Sequence, residues 1–357
     1  MKHKFLLALL MVCGLTSVGM GQEIKNGFTL WTSDWDSFSP DTGYFVYQWT
    51  YKGSTVPYDF QKQEVVAPMI QDTYFDPTVK VYDMGMCMIT FRGRSDVSAI
   101  MTVSEGPDHF PSAGTEFQHR RLNAKDQWEL VQPPLFTTEA NISPLGVCIY
   151  YDGNDLHLAW TEDNDAAGPD SLKCNIYDQV YTVGADGKLT PKGDKTLVLS
   201  RTLDWNANYP GLGGITGLTA VDFNGDGKMD FIVGDMFYGD SPASATIQLI
   251  EKTDTNKWSS TLKELWKGAP GHGAEGVRYA NVTNSGKVEL MITSGASLPW
   301  STVELFQKDG NNVTEVGTVI DCDAELKLND PTASVGHIFG LSSVLPIPAD
   351  IQEWSIY

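Results

Sequence analysis

Five stretches of this chain open on a glycine and continue with alternating apolar residues, at Gly85, Gly146, Gly217, Gly276 and Gly340. They read GMCMITFRG, GVCIYYDGNDLHLAW, GLTAVDFNGDGKMDFIVG, GVRYANVTNSGKVELMITSG and GLSSVLPIPADIQEWSIY, at intervals of 61, 71, 59 and 64 residues. The first two carry a cysteine at the same offset, Cys87 and Cys148. A period of this size marks a repeat architecture, in which each unit buries its apolar faces only against its neighbours. The second half of the unit recurs as well. TIQLIEKTDTNKW (246–258), TVELFQKDGNNVT (302–314) and QVYTVGADGKLT (179–190) each read as a strand, a polar turn and a returning strand.

Each repeat therefore supplies about four short strands, and helical periodicity is nearly absent. Four antiparallel strands repeated radially make a β-propeller blade, so the expected fold is all-β, a single propeller over residues 22–357. The last unit supplies only two strands, while GFTLW (27–31) and YFVYQWTYKG (44–53) are a strand pair without a repeat of their own. Joining the two would close the ring and remove its sheet edges, which favours five blades. Six follow if the N-terminal pair belongs to a further blade.

Residues 1–21 read as a cleaved secretion signal: Lys2 and Lys4, an apolar run from Phe5 to Val12, then the small residues Gly19 and Gly21. No stretch is long and apolar enough to span a bilayer. An extracellular setting permits disulfides, and Cys87, Cys148, Cys174 and Cys322 leave three pairings open. Asn141, Asn281 and Asn312 are glycosylation acceptors if the host modifies such sites. The formal charge of −20, from 45 acidic against 25 basic residues, opposes binding to nucleic acid or anionic lipid.

Within the third repeat, residues 222–230 read DFNGDGKMD. Asp222, Asn224, Asp226 and Asp230 place side-chain oxygens at positions 1, 3, 5 and 9, and Lys228 offers its carbonyl at position 7. Such a set suits a hard cation with six to eight oxygen ligands. An EF-hand is excluded, because position 12 is Val233 and both flanks read as strands. This segment resembles the FG-GAP or VCBS type of propeller repeat, strongly over 217–234 and moderately over 276–295. The resemblance implies a calcium ion held between the first two strands of a blade. The alternative is a metal-free polar turn. In the fourth repeat the aligned residues are Asn281, Thr283, Ser285 and Glu289, a weaker donor set with one carboxylate. In the first repeat Arg92 and Arg94 stand in donor positions and exclude a cation.

A ligand is expected on the opposite face, where strands two and three are joined by WTEDNDAAGPDS (160–171), GDMFYGDSPAS (234–244) and TSGASLPWS (293–301). Trp160, Phe237, Tyr238 and Trp300 are aromatic candidates there, beside Asp235. His272, Glu275 and His337 lie on blade-entry segments near the axis. Aromatic rings with acids and histidines stack on sugars and bond their hydroxyls. The same aromatics would equally serve as wedges between blades, and the histidines as turn residues. The expectation is a recognition or adhesion module for an extracellular glycan or protein. Its rival is a carbohydrate-active enzyme, a lyase or hydrolase, with Asp235 and Glu275 as acid and base. No nucleophile elbow, phosphate loop or Cys-x-x-Cys pair occurs.

Overall fold

A computed structural model describes residues 29–34, 46–51, 60–66, 81–105, 114–123, 128–140, 142–164, 172–203, 215–235, 244–270, 276–280, 285–294, 302–322 and 338–344, with single residues 274, 283, 324 and 327. The expected signal segment lies outside them. The protein is all-β, with small antiparallel sheets in a propeller arrangement.

Among the described residues there are five sheets of four or more strands. The first contains β1 (Thr29–Asp34), β2 (Val46–Tyr51) and β3 (Phe60–Val66). The second runs β4 (Val81–Thr90), β5 (Val97–Glu105), β6 (Thr115–Leu122) and β7 (Trp128–Leu130). The third has β9 (Val147–Asp152), β10 (Asp155–Asn164), β11 (Leu172–Val183) and β13 (Thr196–Leu203), with the short β8 (Ile142–Ser143) and β12 (Leu189–Pro191) alongside. The fourth runs β14 (Ile215–Val221), β15 (Asp230–Asp235), β16 (Ser244–Ile250) and β19 (Lys263–Pro270); a ribbon of β17 (Lys252–Asp254) and β18 (Lys257–Trp258) precedes its last strand. The fifth runs β20 (Val277–Ala280), β21 (Glu289–Ser294), β22 (Thr302–Asp309) and β23 (Asn312–Asp321). Then β24 (Ile338–Val344) returns to pair antiparallel with β1, setting Leu30 opposite Ser343. The N-terminal part thus gives this sheet three strands, one more than the sequence suggests, and the last repeat gives it one among the described residues.

The innermost strands touch in the order β4, β9, β14, β20, β24 and back to β4. Burial follows this geometry. All of β14 is buried, whereas β23 in the last position of its sheet is largely exposed. An inner strand has protein on both faces and so reads as an unbroken apolar run, while an outer one alternates. The core is a series of apolar layers between sheets. Phe91, Phe117, Trp160 and Tyr181 lie between the second and third. Tyr150, Ile176, Leu218 and Phe231 lie between the third and fourth, and Phe223, Leu249, Leu290 and Phe306 between the fourth and fifth.

Close approach explains the anchor glycines. A Cβ at Gly85 would stand 2.7 Å from the Leu145 carbonyl oxygen, and one at Gly146 would stand 3.0 Å from Thr216 O. A threonine on the second strand answers three of the anchors. The Thr161 hydroxyl accepts from Gly146 N at 2.8 Å and Thr293 from Gly276 N at 2.6 Å, while Thr102 donates to Gly85 O at 3.4 Å. In the fourth sheet the equivalent residue is Gly234, where a Cβ would lie 2.0 Å from Ala274 O.

A second lattice ties sheet to sheet. The residue two places after an anchor accepts a hydrogen bond from a backbone N–H of the next inner strand: Cys87 Sγ from Ile149 at 3.3 Å, Cys148 from Ala220, and Thr219 Oγ1 from Tyr279 at 3.0 Å. At the equivalent place in the fifth sheet, Arg278 donates to the carbonyls of Leu218 and of Met86, a residue of the second sheet.

Gly234→Ala should lower stability by roughly 2–4 kcal/mol, because the new methyl meets backbone that cannot turn aside. Urea denaturation measures this, and an unchanged midpoint would contradict the packing described.

Candidate functional site

The β14–β15 turn holds the expected donors. Gly225 and Gly227 have φ of 82° and 83°, a left-handed backbone that other residues adopt only with strain. Two such residues in one turn fold successive amides inward over Asp222. Its Oδ1 accepts from Gly225 N at 2.8 Å and Asp226 N at 3.0 Å, and its Oδ2 from Gly227 N at 2.9 Å. Asn224 Oδ1 accepts from Asp226 N at 2.9 Å, and Asp226 Oδ1 from Lys228 N at 3.0 Å. These are self-capping Asx turns. Asp226 Oδ2 also lies 3.5 Å from the Lys228 ammonium.

Asp230 sits differently. It opens β15, is fully buried, and accepts from Phe223 N at 3.2 Å and Lys252 N at 2.8 Å. Burial pushes its pKa up to about 6 against the pull of those amides, and the Asp226 charge adds to the rise. The turn therefore has an exposed oxygen-rich tip and a buried carboxylate at its root.

The donor types fit a hard cation, and the oxygens on Asn224 and Asp226 that accept one amide each keep a further lone pair. Among the described residues, however, no three His, Cys, Asp or Glu side chains are gathered closely enough to share one ion. The fit is one of donor type and spacing.

The corresponding turn of the fifth sheet is closed by side chains. Buried Glu289 accepts from Thr283 N at 2.9 Å, Ser285 Oγ at 2.8 Å, Gln307 Nε2 at 2.9 Å and the Thr283 hydroxyl. Asn281 lies outside the described residues. In the second sheet the arginines reach the third: Arg92 Nη1 donates to Gly153 O at 2.7 Å and Arg94 Nη1 to Ala185 O at 3.0 Å.

Sequence reasoning missed the cations that clasp the 222–230 turn to its neighbours. Lys252 sends its ammonium to Asp152 of the third sheet, with side chains 6% and 30% exposed. From the fifth sheet, Lys308 donates to Phe223 O and stands 4.7 Å over that ring. It missed too a buried group in the third sheet, where Asp178 accepts from Tyr150 Oη at 2.9 Å and lies 2.8 Å from His157 Nδ1. None of these has a local pattern, since each pairs residues far apart in the chain.

The expectation for Trp160 is corrected. Trp160 is no rim residue: it belongs to β10, is 1% exposed, and packs against Phe117, Phe136 and Tyr177. Its Nε1 donates to Glu162 at 2.8 Å, and Lys195 joins the same carboxylate at 3.2 Å. It is a wedge between sheets. The strands also extend further than their sequence suggests: β10 runs to Asn164, β15 to Asp235 and β21 to Ser294. Asp235 is the last residue of β15, and its side chain is not among the described ones. Phe237, Tyr238, His272, Glu275, Trp300 and His337 lie outside the described residues.

No family model matches the chain, and no curated protein matches it in sequence. Solved structures do. An exo-1,5-α-L-arabinanase from a bovine ruminal metagenomic library is similar at 10% identity and a TM-score of 0.49, over 78% of this chain and 94% of that one. An N-acetylgalactosamine deacetylase from F. plautii, in complex with blood group B trisaccharide, is similar at 10% identity and a TM-score of 0.41, over 88% and 96%. A GH43_1 enzyme from Xanthomonas citri complexed with xylose gives 10% identity and a TM-score of 0.43, over 67% and 74%.

Asp230 makes stability depend on pH with a definite sign. An unfolded aspartate loses its proton near pH 4, roughly, whereas the folded one keeps it to about 6. Between those values the folded state holds a proton that the unfolded state has released, so stability falls as pH rises. In chelator, the melting-temperature advantage of wild type over Asp230→Asn should shrink as pH rises through that window. Parallel pH profiles for the two proteins would refute the assignment.

Proposed function

We propose that this chain is an extracellular five-bladed propeller that recognises a carbohydrate, with one FG-GAP-type turn fastened by calcium. The observation that carries the reading is the 222–230 turn, in which a buried carboxylate lies beneath four further oxygen donors. Asp222, Asn224, Asp226, the Lys228 carbonyl and Asp230 would hold the ion. Bound calcium neutralises carboxylates that otherwise repel one another and favour protonation. Its role is structural, because the turn is anchored by Lys252 to the β17–β18 ribbon and by Lys308 to the next sheet. Five blades follow from reading each sheet of four or more strands as one blade, with β24 and β1 joining the ends.

The ligand surface would be the face away from this turn, and the sequence candidates for it are Phe237, Tyr238, Trp300, Asp235, His272, Glu275 and His337. Aromatic rings beside acids suit neutral sugars, and the charge of −20 disfavours polyanions. A carbohydrate-active enzyme using Asp235 and Glu275 shares this ligand class and differs in turnover.

Calcium should raise the melting temperature of wild type by several degrees, following RT ln(1 + [L]/Kd), and Asp226→Ala should remove that gain. Equal melting in calcium and chelator would sink the metal assignment. A glycan array, read beside depolymerisation assays on polysaccharides, tests the ligand. Trp300→Ala should weaken a detected glycan about tenfold without changing the melting temperature. Turnover would replace the recognition reading with the enzyme, and absence of any glycan would point to a protein ligand.

A further inference from the structure

The inner-strand lattice brings together two side chains with a chemistry of their own. Cys87 and Cys148 occupy the same place in consecutive repeats, on β4 and β9, and are buried at 4% and 3% exposure. The Ile149 amide that donates to Cys87 Sγ at 3.3 Å follows directly on Cys148, which puts the Cys87 sulfur beside the backbone of Cys148. Both are free thiols in this structure, and the Cys148 side chain lies within hydrogen-bonding reach of Cys87. The guanidinium of Arg278 reaches the carbonyl of Met86, the residue before Cys87. No carboxylate among the described residues forms an ion pair with it.

These neighbours make the pair unequal. The hydrogen bond from Cys148, with help from the Arg278 charge, brings the Cys87 thiol down to about 6 against the opposing effect of burial. The same contact, together with burial, raises Cys148. The surroundings thus favour the thiolate at Cys87 and the thiol at Cys148. A thiolate beside a thiol is the arrangement that thiol–disulfide exchange requires.

We propose that Cys87 and Cys148 are a covalent cross-linking site, oxidised to an inter-sheet disulfide as the chain folds, and that this bond joins the second sheet to the third at the axis. It selects among the three pairings open to the sequence. The oxidant is a small-molecule disulfide such as oxidised glutathione. The Cys87 thiolate attacks one of its sulfurs, breaking that S–S bond and releasing one thiolate, which takes up a proton. Cys148 then gives its proton to solvent and attacks the Cys87 sulfur, expelling the second thiolate. Two protein thiols are oxidised and one external disulfide is reduced to two thiols. Burial means that exchange occurs as the second and third sheets come together, when the two cysteines have met and the oxidant still has access, and that the finished bond is shielded from reductants. The inference does not rest on the calcium turn or on the ligand face.

The test uses the full chain, refolded from reducing denaturant in a glutathione redox buffer and, separately, produced in a disulfide-forming compartment. After alkylation in denaturant and tryptic digestion without reduction, residues 81–92 and 126–173 should appear as one cross-linked species. Its mass should be two hydrogens below the sum of the two peptides. The cross-linked protein should melt about 5 °C or more above its reduced form. Cys87→Ser and Cys148→Ser should both lose the cross-linked species, and Cys87→Ser should remove the thiolate absorbance that titrates near pH 6 in the reduced protein. Recovery of both cysteines alkylated, or cross-linking of either to Cys174 or Cys322, would overturn the proposal. If the serine variants do not fold, the peptide map of the wild-type chain still decides.

Discussion

The structure depends on how its inner strands are held to one another rather than on any single sheet. An inner strand is bonded by its own sheet along one edge, and its other edge faces the axis, where buried amides need acceptors. The side chain two residues past three of the anchor glycines supplies one: Cys87 for Ile149, Cys148 for Ala220, Thr219 for Tyr279. Each such bond sets the height of one sheet relative to the next. That height decides which apolar side chains interleave between them. The glycines permit the approach, and Arg278 spans the ring where the pattern of small acceptors stops.

Much of this organisation is legible in the sequence, because the inner strands are the most constrained part of the repeat. A strand buried on both faces keeps its apolar run, and its glycine cannot change without a clash. The threonines at 102, 161 and 293 stand 17, 15 and 17 residues past their glycines and yet went unread, since a threonine within an apolar strand gives no sign that it faces one. The closing sheet was legible in kind, and its division between the chain ends was not. Trp160 shows why a ligand face is hard to read. An aromatic residue followed by Thr-Glu-Asp-Asn looks like the start of a polar loop, but β10 continues through Asn164 and carries the indole into the core. Cross-sheet packing alone separates the two cases.

The candidate site was legible at the level of donor spacing. What spacing cannot give is the direction in which each oxygen points, and here local amides take most of that capacity. Three hairpin turns meet the same need in different ways: an oxygen-rich nest at 222–230, a glutamate saturated by hydroxyls and amides at Glu289, and arginines reaching the next sheet from 92 and 94. A tip that holds a blade end in place can be built from several kinds of residue. Divergence among these repeats is therefore compatible with one common backbone.

The clasps between sheets bear on how the molecule meets other molecules. Arg278 and Lys252 are almost wholly enclosed, and Arg92 and Lys308 are turned toward neighbouring sheets. Carboxylates are enclosed as well, at Asp163, Asp178, Asp230 and Glu289, so the excess of 45 acidic over 25 basic residues still sets the sign of the outward potential. Uncharged or cationic visitors approach such a surface freely, whereas an anionic one is turned away at long range before any contact is made.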